Sequence, residues 1–138
     1  MIYLDSNIFL LSVVNPKTDE QTIICSKILK KIISNEILAA TSLLTWDELV
    51  FIIKKTLGKD FARTEGKKFL NFPNLTFLKV DREIILKAQD LLTKYNLNPR
   101  DAIHAASALA NKINEIISDD SDFDQIKEIK RIKLDKFK

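Results

Sequence analysis

The sequence predicts a three-layer α/β/α fold, with a central, mostly parallel four- or five-stranded sheet and helices on both faces. Short apolar segments that read as strands alternate with longer segments whose apolar residues recur at helical spacing, the pattern of successive βαβ units. Helix boundaries carry their own chemistry: Ser42 and Gly58 bracket one segment, and Asn98-Pro99 opens another. The chain contains no repeat, low-complexity segment or Pro/Gly/Ser linker, so residues 1–138 read as a single domain able to bury one core.

Met1 to Leu4 is short and apolar and runs into Asp5-Ser6-Asn7, as a buried strand does at its carboxyl end. Ile8 to Val14 is a short apolar helix, broken near Pro16. Asp19 to Ser34 carries Ile23, Ile24, Ile28, Ile32 and Ile33 at helical spacing, with lysines opposite. Ile37 to Ala40 is a second strand. Ser42 caps a helix that stops at Gly58, and Lys59 to Leu70 is the next helix. After a turn over Asn71 to Asn74, Leu75 to Val80 is a third strand, and Arg82 to Tyr95 is helical. Asn98 as cap and Pro99 at the first helical position open a helix reaching about Lys112. Glu115 to Ser118 is a fourth strand, and Ile129 to Leu134 a fifth, with basic residues alternating with isoleucine. In such sheets ligands bind beyond the carboxyl ends of the strands, near the point where strand order reverses.

Composition removes several classes of function. With 46% hydrophobic and 30% charged residues the chain is a folded, soluble type. Its longest apolar runs, Ile8 to Leu11 and Leu49 to Ile53, fall far short of the ~20 residues of a membrane helix. Asp5 stands where a signal peptide would be apolar, and the lone Cys25 allows no internal disulfide, so a cytoplasmic location without membrane partners is expected. Cys25 falls on the apolar face of its helix and reads as a core residue. One histidine cannot build a histidine-rich metal site, and two glycines cannot build a phosphate-cradling loop. The net charge is +3, but with four of the 19 acids set aside for one site, 22 basic residues face 15 acids, an excess of seven. A basic surface around an acidic pocket suits a polyanionic substrate held through a metal.

Four positions combine an acid with a structurally pointed location. Asp5 follows the first strand. Asp120 follows the fourth, inside the run Asp119-Asp120-Ser121-Asp122-Phe123-Asp124, where Asp122 is the next candidate and Asp119 remains open as a one-residue alternative. Asp101 lies in the first turn of the alanine-rich helix Pro99 to Lys112, whose small residues imply tight burial. Glu48 shares a helix face with Leu44 and Ile52. Each has an ordinary explanation alone: a turn acid, a solvated acidic loop, a helix-dipole partner, and a helical glutamate paired with Lys54 or Lys55. Gathered in one pocket they cannot all ionise without a cation, and oxygen ligands select a hard one, Mg²⁺ or Mn²⁺. Such a centre fits phosphodiester hydrolysis.

The segments Tyr3-Leu4-Asp5-Ser6-Asn7, Thr41 to Leu49, Pro99-Arg100-Asp101-Ala102-Ile103-His104-Ala105-Ala106 and Ile117 to Phe123 occur in the order and spacing of PIN-domain proteins. The chain resembles the short VapC-type toxins of that family along almost its whole length. The resemblance implies a metal-dependent endoribonuclease that leaves 5′-phosphate and 3′-hydroxyl ends. It implies an acidic quartet of Asp5, Glu48, Asp101 and Asp120, with Asp122 at a further acidic position, and Mg²⁺ or Mn²⁺ as cofactor. Ser6 and Asn7 match a polar pair that orders the ligands or their water. Arg100 and His104 match neighbours of the third acid and are assigned to packing or hydrogen bonding. RNA as substrate, a cognate antitoxin and a homodimer are the implied partners. The alternatives are a non-catalytic RNA-binding module on the same fold, and an RNA-processing nuclease without an antitoxin. A phosphatase with an aspartyl nucleophile would want a second acid where Asn7 stands.

Overall fold

β1 (Ile2–Leu4) lies at the centre of a five-stranded sheet in the order β3-β2-β1-β4-β5, where β2 is Ala39–Ser42, β3 is Leu75–Leu78, β4 is Glu115–Ile117 and β5 is Lys130–Ile132. Every pairing is parallel, with Tyr3 in register with Ala40 on one side and Ile116 on the other. The computed structural model describes residues 1–138. Chain order runs outward from β1 through β2 to β3, then crosses to the opposite side for β4 and β5. The reversal therefore falls between β1 and β4, and their carboxyl ends diverge there into a crevice.

Side chains alternate across the sheet with period two, giving each face its own core. Tyr3, Ala40 and Ile116 face α5 (Arg82–Lys94) and α6 (Pro99–Ala110), with Phe123 and Ile126 closing that layer. Leu4, Ala39, Leu75, Ile117 and Ile132 face the other way, toward α1 (Ser6–Val14), α2 (Glu20–Ile33), α3 (Leu44–Leu57) and α4 (Lys59–Leu70). This is the three-layer α/β/α arrangement. The expected four or five mostly parallel strands are five and wholly parallel. Cys25 is a fully buried core residue on α2, and burial pushes its thiol up to about 12, with the Asp119 and Asp19 charges adding to the rise.

Several boundaries differ from the sequence reading, each for a hydrogen-bonding reason. The first helix begins at Ser6, not Ile8, because the Asp5 carboxylate accepts from the Ser6 N–H at 2.7 Å and caps it. The second strand begins at Ala39, not Ile37. Asn35 turns left-handed at φ 61° to end α2, and the N–H groups of Glu36 and Ile37 fold back onto the Lys31 carbonyl at 2.9 and 3.1 Å. The strand then continues through Ser42, which belongs to β2 although its Oγ still accepts from Leu44 N–H at 3.0 Å. Asn98 occupies the cap position of α6 without a side-chain capping bond, and Pro99 opens the helix as expected. No helix is long and apolar enough to cross a membrane.

Candidate active site

Asp5 ends β1 and is nearly buried, which raises its carboxyl; His104 and the Ser118 and Ser6 donors oppose that rise. Its two oxygens are held separately. Oδ1 accepts from the Ser6 N–H, and Oδ2 accepts from Ser118 Oγ at 2.6 Å. Ser118 follows β4 and is fully buried, and its Oγ also accepts from the Asp120 N–H at 2.9 Å. One hydroxyl thus ties the ends of the two central strands together and sets the backbone from which Asp120 projects.

The acidic run after β4 sorts its members. Asp120 accepts from the Asp122 N–H at 2.9 Å and caps the 3₁₀ turn Ser121–Gln125. Asp119 points away, toward Gln21 Nε2 at 3.5 Å. Asp124 makes a two-pronged pair with Arg131, both contacts at 2.9 Å, and Arg131 also donates to the Ser118 carbonyl at 3.2 Å. Asp120 and Asp122 are left to face Asp101, and one oxygen from each of the three lies within 4.8 Å of the others.

Asp101 stands in the first turn of α6, as its position after Pro99 predicts. Its carboxyl is pushed up to about 7, first by burial and then by the charges of Asp120 and Asp5, with His104 pulling the other way. Carboxylate oxygens of Asp101 and Asp120 lie within 4.8 Å of one another. Two carboxylates at this range do not both ionise unless a cation neutralises them.

Glu48 projects from α3 beside the buried face formed by Thr45, Leu49 and Ile53. Its partner is neither Lys54 nor Lys55 but His104, whose Nε2 contacts Glu48 Oε1 and lies 3.8 Å from Asp5 Oδ1. His104 is fully buried on α6. Burial alone pulls the imidazole down, but the Glu48 hydrogen bond and the Asp5, Glu48 and Asp101 charges outweigh it and leave it raised. Arg100 stands at the rim, 3.6 Å from Asp47 and with its guanidinium 6.0 Å from the Phe51 ring centroid. The open pocket between these groups measures about 480 Å³ and is lined by Glu48, Asn98, Pro99, Arg100, Asp101 and Asp120.

The structure therefore brings Asp101, Asp120 and Asp122 into one cluster and sets Asp5 and Glu48 beside it, each bonded to a protein partner. Asn7 Oδ1 is a buried acceptor without a donor. An all-oxygen donor set of three carboxylates within 4.8 Å of one another fits a hard divalent cation.

The sequence profile of the PIN domain matches residues 2–129. The chain belongs to the PIN-domain family. Comparison with curated proteins found no match. Among solved structures, this PIN domain resembles VapBC2 of Rickettsia felis, described as bound to a DNA fragment from their promoter, at TM-score 0.72 and 18% identity over 96% of this chain and 98% of that one. It resembles VapC20 of Mycobacterium tuberculosis, described as a sarcin-ricin loop cleaving toxin, at TM-score 0.73 and 14% identity over 92% and 95%. VapBC-1 of nontypeable Haemophilus influenzae matches at TM-score 0.70 and 19% identity over 98% and 99%. At these identities the likeness is one of fold.

Sequence reasoning did not single out three residues that this PIN domain uses around its acids: Tyr3, Ser118 and Arg131. Ser118 was visible as a polar residue at the end of an apolar strand. Tyr3 carries one polar atom into an otherwise apolar strand. Arg131 gave no local signal, because its partner Asp124 lies on a different element.

Proposed function

We propose that this PIN domain is a Mg²⁺- or Mn²⁺-dependent endoribonuclease of the VapC type, the toxin of a toxin–antitoxin pair, acting in the cytoplasm. The observation that carries this reading is the cluster of Asp101, Asp120 and Asp122, with carboxylate oxygens within 4.8 Å of one another, at the crevice between β1 and β4. In the proposed site Asp101, Asp120 and Asp122 hold the cation, and Asp5 and Glu48 join directly or through water. The cation, when bound, lowers the pKa of a coordinated water and stabilises charge on the phosphate. Ser118 and Ser6 hold Asp5, and Ser118 also fixes the backbone of Asp120. Arg100 at the rim and lysines beyond it attract the RNA backbone.

The toxin role draws on neighbours described as a toxin–antitoxin complex and as a sarcin-ricin loop cleaving toxin. An antitoxin would place a cationic side chain opposite the carboxylates, where a charge-assisted hydrogen bond is strongest. A homodimer would need exposed apolar surface, and Leu43 at the cap of α3 and Phe51 on it are 44% and 55% exposed.

The test is RNA cleavage by purified protein with Mg²⁺, Mn²⁺ or EDTA, beside Asp5→Asn and Asp101→Asn, with analysis of the cut ends. Metal-dependent cutting to 5′-phosphate ends, lost in both variants, is the expected result. Cyclic 2′,3′-phosphate ends, or cutting that survives EDTA and both substitutions, would overturn the mechanism. RNA binding without cutting would favour the non-catalytic module.

A further inference from the structure

Tyr3 lies on the central strand, fully buried, with its hydroxyl bonded on two sides. It accepts from the Ser42 N–H at 3.0 Å, and it lies 2.5 Å from Nδ1 of His104. These contacts fix the direction of the chain that follows. A backbone N–H only donates, so the phenol's own proton has Nδ1 as its acceptor. In the neutral ring Nδ1 is then bare, and the ring proton sits on Nε2, which contacts Glu48. The chain runs from the β2 backbone through β1 and α6 to an acid on α3.

We infer that Tyr3 is a positioning residue of the candidate metal centre: its hydroxyl orients the His104 ring and, through it, presents Nε2–H to Glu48. Packing alone does not explain the residue, because a phenylalanine would fill the same volume without bringing a hydroxyl into the core. A buried hydroxyl or imidazole nitrogen left unpaired is costly, so the three groups are stable there as a connected set. Without the phenol, Nδ1 has no partner, and the ring is held by its Glu48 contact alone. The effect on cation binding rests on the reading of Glu48 as part of the metal centre. The Tyr3–His104–Glu48 chain itself does not.

His104 is the only histidine of the sequence, so a ¹⁵N-labelled full chain gives one imidazole pattern in a long-range ¹H–¹⁵N correlation spectrum. The metal-free wild type at pH 8 is expected to show an unprotonated Nδ1 and a protonated Nε2. Tyr3→Phe is expected to shift the Nδ1 signal, because that nitrogen loses its hydrogen-bond partner. Ile28→Val on α2, a core change remote from the chain, leaves the pattern unaltered. A titration with Mn²⁺ then reads affinity, expected to weaken about tenfold in Tyr3→Phe, as losses of ligand-orienting partners do. A protonated Nδ1 in the wild type, or a Tyr3→Phe spectrum matching the wild type, overturns the inference. So does an altered spectrum with unchanged Mn²⁺ affinity. If Tyr3→Phe does not fold, the wild-type spectrum still decides, since a protonated Nδ1 contradicts the proposed direction. A wild type that binds no Mn²⁺ but shows the expected tautomer removes the metal-centre reading and, with it, the positioning role.

Discussion

Replacing Asp101 with asparagine should stabilise the metal-free protein while removing its proposed activity. Asp101 rises from an ordinary 3.8 to about 7 through burial and the neighbouring Asp120 and Asp5 charges. A raised carboxyl binds its proton more tightly in the folded chain than in the unfolded one. Its contribution is therefore fully present below about pH 4 and is lost as the pH rises through about 7. The interval spans about three pH units, a ceiling of roughly 4 kcal/mol at 1.36 kcal/mol each. Because the side chain is only partly buried and the proton belongs to the pair it forms with Asp120, solvent screening brings this to about 1–2 kcal/mol. Asparagine carries no such charge. Thermal melts in EDTA at pH 8 should place Asp101→Asn roughly 3–8 °C above the wild type, with the difference vanishing near pH 4. Added Mg²⁺ should raise the wild type and leave the variant nearly unmoved, closing or reversing the gap. Parallel pH profiles for the two proteins in EDTA, or equal stabilisation of both by Mg²⁺, would refute the electrostatic reasoning.

Ser118→Ala removes the hydroxyl that joins Asp5 to the Asp120 backbone. It should weaken Mg²⁺ affinity by about 10–100-fold, read by calorimetric titration. Gly58 has φ 94° and ψ 164°, a region nearly closed to other residues, though a Cβ would meet nothing there. Gly58→Ala should therefore cost about 1–3 kcal/mol in urea unfolding, wholly from the backbone. Ile53→Ala in the core under α3 should cost about 2–5 kcal/mol by the same measurement. Cys25 should resist alkylation in the native protein at pH 8 and react promptly in urea, because burial both hides the thiol and holds it near 12.

Most of the architecture was legible because the two periodicities are clean. Alternation around Tyr3 and Leu4, and the isoleucine stripe of α2, required a strand and a helix with defined inner faces. The boundaries that moved were those decided by single hydrogen bonds. Asp5 starts a helix two residues early, and the Lys31 carbonyl detains Glu36 and Ile37 before β2 can begin. For the site, the acids could be placed at strand and helix ends, but not their orientation. Nothing local shows that Asp119 turns to Gln21 and Asp124 to Arg131 while Asp120 and Asp122 turn to Asp101. Glu48 carried the opposite difficulty. Nearby lysines offered plausible partners, whereas its actual partner, His104, is brought in by the packing of α6 against α3. Such pairings depend on the tertiary fold, and a linear pattern does not contain them.

The crossing from β3 to β4 also sets the order in which the acids become available as the chain is made. A nascent chain up to β3 holds Asp5 and Glu48, yet one edge of β1 has no neighbour until β4 arrives. Of the three clustered aspartates, Asp101 lies within that crossing, on α6, and Asp120 and Asp122 follow it. A ribosome synthesising this chain therefore assembles the acidic cluster only once β4 and the turn after it have been made. If the centre cuts RNA, the topology itself delays the hazard until β4 has joined the sheet.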